Sequence, residues 1–160
     1  MARKKSVKKI IIGGDHGGYR LKKILDEMLE KEEYRLRDVG TFSEEPCDYP
    51  LIGARVARAV SAGIFPRGIL LCKSGAGMAI VANKFPHVRA AVCQTVELAR
   101  RSRQHNDANV LVLGAEQMNQ KKAVAVVKAW LETPFEAGRH ARRLRQIERI
   151  ERKIVCGDDV

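Results

Sequence analysis

The chain has 160 residues and a net charge of +11, a length suited to one compact domain (1–160) with a sizeable core. No apolar run approaches the roughly 18 residues that cross a bilayer, and there is no apolar secretory core at the N-terminus, which predicts a cytoplasmic protein with no membrane partner. Four scattered cysteines (Cys47, Cys72, Cys93, Cys156) without a CxxC pair or a His at metal-ligand spacing fit free thiols and no metal.

Much of the positive charge sits in Arg3-Lys4-Lys5 with Lys8-Lys9, and in the stretch 139–153. The segment 1–7 reads as a flexible basic end. Aromatic residues make up only 5% of the chain and are not interleaved with the basic ones, which argues against a nucleic-acid partner.

A β-branched run at 9–13 ends in glycines, and 19–31 shows helical spacing through Leu21, Ile24, Leu25, Met28 and Leu29. The alternation continues with a strand at 34–39, a helix at 52–62, a strand at 68–72 and a short helix at 78–83. A strand at 89–93, a helix at 96–103, a strand at 110–113 and a helix at 121–131 follow. Five strands with intervening helices predict an α/β fold, an open parallel sheet covered on both faces. After Pro134, residues 137–155 form a terminal amphipathic helix with Leu144, Ile147, Ile150 and Ile154 on one stripe. Such a stripe packs either on its own domain or on a partner subunit.

Ligands of an open parallel sheet collect at the carboxyl ends of its strands. Gly13-Gly14-Asp15-His16-Gly17-Gly18 follows the first strand, and Asp38 ends the second. The loop is not a dinucleotide fingerprint, because Asp15 and His16 stand where a GxGxxG turn needs glycine, and a carboxylate would repel a pyrophosphate. In Cys72-Lys73-Ser74-Gly75-Ala76-Gly77, the two glycines let backbone N–H groups turn toward a phosphate or a developing oxyanion. Cys72, at the strand end feeding that loop, is a candidate base or nucleophile; its bland role is a small buried hydrophobe. His105 and Asn106 lie in a polar run, 102–109, that interrupts the apolar periodicity and that alone could be a helix C-cap. Arg139, His140 and Arg143 lie on one helix face, either solvated or available to capture an anion.

Together these segments resemble the type B ribose-5-phosphate isomerases, a family that includes galactose-6-phosphate isomerase subunits and allose-6-phosphate isomerases. The resemblance runs nearly end to end. It rests on Gly14-Asp15-His16-Gly17-Gly18, Asp38-Val39-Gly40-Thr41, Asp48-Tyr49-Pro50, Ser74-Gly75-Ala76-Gly77-Met78, Ala82-Asn83-Lys84, the run from Ser102 to Val110, and Gly138-Arg139-His140 with Arg143. It implies a three-layer Rossmann-like sandwich and aldose-ketose isomerisation of a sugar phosphate, most readily ribose 5-phosphate, without metal or cofactor. It also implies a homodimer or tetramer whose active sites are shared between subunits.

In the roles the resemblance implies, Cys72 moves the proton between C1 and C2 through a cis-enediol, and Ser74 hydrogen-bonds the reacting oxygens. The Gly75 and Gly77 loop steadies the enediolate. His105 opens the sugar ring, Asp15 and Asn106 bind hydroxyls, and His16, Arg139 and Arg143 hold the phosphate. Two positions depart from the pattern: Lys73 stands at a common glycine, and Glu116 at a phosphate-binding arginine. A glutamate in a similar Gly-Ala-Glu context occurs in the galactose-6-phosphate isomerase A subunit, which lacks the cysteine. Other readings are therefore an isomerase for an allose- or galactose-type hexose 6-phosphate, or a weakened sugar-phosphate-binding protein on the same scaffold.

Overall fold

The computed structural model describes residues 8–158; the basic segment 1–7 lies outside them. In chain order come β1 (Lys9–Gly14), α1 (Tyr19–Lys31), β2 (Arg35–Asp38), α2 (Tyr49–Ser61), β3 (Arg67–Cys72) and α3 (Ala76–Ala82). Then follow β4 (Ala90–Val92), α4 (Val96–Asn106), β5 (Val110–Gly114), a 3-10 turn (Ala115–Gln117), α5 (Gln120–Glu132) and α6 (Arg139–Cys156). The strands form one parallel sheet in the order β2-β1-β3-β5-β4. No helix among the described residues is long and apolar enough to cross a membrane.

The central strands are apolar along their whole length because both faces are covered. Successive side chains point to opposite faces, which sorts the core into two clusters. Ile10, Ile12, Ile69, Leu71, Leu111 and Leu113 pack under α1, α4 and α5 against Leu25, Leu29 and Trp130. Ile11, Leu70, Cys72, Val110 and Val112 pack under α2 and α3 against Val56 and Met78. The result is the three-layer Rossmann-like sandwich expected, with α6 laid outside against α4.

Two element ends differ from the sequence pattern for local reasons. Helix α2 starts at Tyr49 because Pro50 falls in its first turn, where a missing N–H removes no helical bond. Helix α4 runs on through His105 and Asn106, and Asp107 closes it with φ 45°. The polar run is thus helical and partly buried: Ser102 Oγ donates to the Ala99 carbonyl, and Arg103 Nη1 donates to the Ala108 carbonyl at 2.7 Å. On α6 only Leu144 of the apolar stripe is buried; Ile147, Ile150 and Ile154 stay 49%, 44% and 63% exposed.

The Asp26 side chain is held against its own charge. Burial pushes the Asp26 carboxyl up to about 7, with Asp38 and Glu30 adding to the rise and the Lys22 ammonium opposing it. A value raised on folding favours the protonated form, so this contribution is fully present below the unfolded carboxylate range and is lost as pH climbs toward 7. Asp26→Asn copies the neutral state. The variant is expected to match the parent near pH 4 and to exceed it by up to about 4 kcal/mol at pH 8, from a shift of roughly three pH units. Urea unfolding at both pH values checks this, and a difference that does not grow between them contradicts it.

Candidate active site

The chain passes from β1 to β2 on one side and then to β3 on the other, so the switch point lies between β1 and β3. Their two loops leave the sheet side by side. The Asp15 amide donates to the Leu71 carbonyl at 3.1 Å, which brings Asp15 next to Cys72. The buried Asp15 carboxylate accepts the Gly18 amide at 3.0 Å. Gly18 has to be glycine, since a Cβ there would come within 2.7 Å of the Leu71 carbonyl oxygen. His16 Nδ1 accepts the Cys47 amide at 3.2 Å, so the neutral ring carries its proton on Nε2 and can offer it to an anion.

In the second loop Cys72 is 6% exposed and its sulfur accepts the Gly75 amide at 3.1 Å. Gly75 takes φ +85° to make that contact. Ser74 is exposed, and its Oγ accepts the Ala76 amide at 3.3 Å, which leaves the hydroxyl proton free to donate. The loop is wedged against the end of β5: a Cβ on Gly114 would lie 2.6 Å from the Ser74 carbonyl oxygen.

The remaining candidates lie elsewhere. Val110 is level with Gly68, four residues back from the Cys72–Gly114 pair, which is about 13 Å of strand. Helix α4 ends just before β5 begins, so His105 and Asn106 sit at the amino-terminal edge of the sheet, opposite to Cys72. There the His105 ring stacks on His140 with centroids 4.4 Å apart and planes 10° from parallel. Arg139 and Arg143, one turn apart on α6, are exposed beside the stack. The structure therefore brings Asp15, His16, Cys72, Ser74, Gly75 and Gly77 into one group. It brings His105, Asn106, Arg139 and Arg143 into another.

Lys73 and Glu116 belong to the first group. The Lys73 stem lies over Gly17, where an added Cβ would come within 2.5 Å of Lys73 Cγ. The Glu116 amide donates to the Lys73 carbonyl at 3.1 Å, yet among the described residues no ion pair joins the two side chains.

A family model for Ribose/Galactose Isomerase matches residues 10–147. The chain belongs to that family. It is 42% identical over 147 residues to ribose-5-phosphate isomerase B of Escherichia coli, covering 92% of this chain and 99% of the relative. Among solved structures, ribose-5-phosphate isomerase B of Clostridium thermocellum superposes with a TM-score of 0.89 at 47% identity, covering 91% of this chain and 99% of that one. The Mycoplasma genitalium enzyme, solved with bound ribulose-5-phosphate, gives 0.87 at 35% identity over 91% and 97% of the two chains.

In this family member two residues sit otherwise than the sequence reading placed them: His140, read there as solvated or anion-capturing, and Tyr49, given no role of its own. His140 is buried beneath His105, and its imidazole is held below the ordinary histidine value by burial first, then by His105, Arg139 and Arg143. Its four-residue spacing from buried Leu144 was the available signal. Tyr49 roofs the glycine loop so closely that a Cβ on Gly77 would lie 2.6 Å from its ring. Only its place next to Pro50, at a helix start, hinted at this.

Proposed function

We propose that this chain interconverts ribose 5-phosphate and ribulose 5-phosphate, with Cys72 as the base. The observation that carries the reading is the Gly75 amide donating to the Cys72 sulfur beside Asp15 and the exposed Ser74 hydroxyl. A thiolate at that position is stabilised by the same N–H that fixes it. In the step, the thiolate removes the proton from C2 of the open aldose, and the C2 electron pair forms the C1–C2 double bond as the carbonyl oxygen becomes an enediolate. A proton then passes from the O2 hydroxyl to O1, by way of the Ser74 hydroxyl, so that O2 becomes the carbonyl as Cys72 returns its proton to C1, which completes the ketose. Ser74 and the N–H groups around Gly75 and Gly77 receive the developing charge. Asp15 and Asn106 hold hydroxyls, His105 opens the ring, and His16 Nε2–H with Arg139 and Arg143 holds the phosphate.

The reading needs two copies. His105, Asn106 and the α6 arginines lie at the edge of the sheet opposite to Cys72, so a neighbour has to supply them. The exposed Ile147, Ile150 and Ile154 stripe suits such a contact. Incubating the pure protein with ribose 5-phosphate and a panel of hexose 6-phosphates, and following ketose formation, tests the reading. Absence of turnover on every sugar phosphate refutes it.

Glu116 supports a narrower version in which phosphate binding is weakened. Its backbone lies against the Cys72–Gly77 loop and no cation neutralises its side chain among the described residues. Glu116→Arg is expected to lower KM for ribose 5-phosphate by the equivalent of about 1–3 kcal/mol at low ionic strength, the range for a hydrogen bond to a charged group. An unchanged KM across several sugar phosphates would show that Glu116 does not oppose the phosphate. A gain confined to ribose 5-phosphate would make it a specificity determinant.

A further inference from the structure

Among the described residues Lys22 is the most deeply buried cation, and the proposed reaction does not use it. The Lys22 side chain is 1% exposed, and an ammonium that deep has to be paired. Its Nζ contacts the Asp38 carboxylate, lies 3.8 Å from Asp26, and sits 5.9 Å and 5.2 Å from the ring centres of Tyr19 and Phe42. Apolar residues of similar volume usually stabilise such a site as well or better, so stability alone gives little reason for a buried pair here.

The hydrogen bonds show what the pair connects. The second Asp38 oxygen accepts the Gly40 amide at 2.9 Å. The Gly40 carbonyl accepts the Gly14 amide at 2.8 Å, and the Thr41 amide donates to the Gly14 carbonyl at 2.5 Å. Gly14 immediately precedes Asp15 and His16. From the other side, the Lys22 amide donates to the Gly18 carbonyl at 2.9 Å, and the Gly18 amide closes on Asp15 at 3.0 Å. One residue therefore ties down both ends of the loop 15–18.

We infer that Lys22 is a positioning residue for substrate binding: through Asp38 and the Gly40–Thr41 turn it holds Gly14, and thereby sets the side chains of Asp15 and His16. The identity of the bound substrate rests on the isomerase reading; the chain of hydrogen bonds does not.

Asp38→Asn weakens the ion pair but keeps an acceptor for Gly40, and the paired variant Lys22→Met with Asp38→Asn removes both charges together. Lys128→Met, which breaks the Lys128–Glu32 pair on the outside of α5, is the control. Amide hydrogen exchange is read at Gly14, Gly40 and Thr41, and steady-state kinetics are run on ribose 5-phosphate. In Asp38→Asn, exchange at these amides is expected to rise about tenfold or more while β3 and β5 amides keep their protection. KM is expected to rise roughly tenfold with kcat within about threefold, the pattern of lost substrate binding. The paired variant should show larger effects in the same direction, and the control neither.

Parental exchange and KM in a folded Asp38→Asn protein overturn the inference. Faster exchange with an unchanged KM overturns it too, because the tie would then be structural only. If the paired variant does not fold, Asp38→Asn decides alone. If the parent turns over no sugar phosphate, the isomerase reading fails separately, and the exchange data still decide whether the pair holds the loop.

Discussion

Cys72→Ala is expected to lower kcat for ribose 5-phosphate by about 10²–10⁴-fold, the span for a general acid-base group, with KM within roughly threefold. In the proposed reaction the thiol acts on a proton and contributes little to ground-state binding, which that reading assigns to Asp15, His16 and the cations of α6. The fold should survive, because alanine fills most of the space of a small buried side chain, and the substitution leaves only the Gly75 amide without its sulfur partner. That buried amide loses its partner at a cost of about 1–3 kcal/mol, too small by itself to unfold a domain with two apolar clusters. Stopped kinetics on purified protein, with the phosphate end of the substrate titrated separately as inorganic phosphate, distinguish the outcomes. Turnover near the parental rate excludes Cys72 as the base. A matching loss of phosphate affinity would mean that the loop itself had moved.

The layers and the site around Cys72 were legible for one reason: in a parallel sheet, the residues after each strand face the same edge. Apolar runs at 9–13, 68–72 and 110–113 marked the strands, and the polar or glycine-rich segments after the first two marked the site. What could not be read was orientation at the other edge. His105 lies in the last turn of a helix rather than after a strand, and a helix antiparallel to its strand ends at the opposite side of the sheet. Its motif was also less purely functional than it looked, since Ser102, Arg103 and Asn109 are engaged in fixing the turn between α4 and the starts of β4 and β5. Lys22 was invisible for a different reason. A lysine beside Leu21 on an amphipathic helix normally runs its stem along apolar surface and leaves its charge in water, whereas here Asp38 on a neighbouring strand draws it inward. No spacing rule links residues 22 and 38.

The placement of His105 opposite to Cys72 leads to a result with an even larger contrast. Cys72→Ala and His105→Ala proteins, each nearly inactive alone, are expected to recover activity when unfolded together and refolded as a mixture. A mixed dimer has two sites. One joins the altered Cys72 position of one copy to the altered His105 position of the other and is dead. The second joins the intact cysteine to the intact histidine and works at the parental rate. Random pairing makes half of the dimers mixed, and half of their sites are whole, so the mixture should reach about a quarter of the parental activity per site if pairing is unbiased and subunits are otherwise independent. This rise from near zero cannot come from ordinary rescue within a chain, because neither chain carries both groups. If each site were built within a single chain, the mixture would stay as inactive as its components. If the copies did not associate, refolding together would equally change nothing, and sedimentation of the same samples separates that outcome by showing monomers. Ring opening is the role expected of His105, so the assay should also be run with a brief preincubation that favours the open-chain aldehyde. Activity that His105→Ala alone regains under those conditions would assign the histidine to ring opening, and the remaining deficit would measure what else it contributes across the subunit boundary.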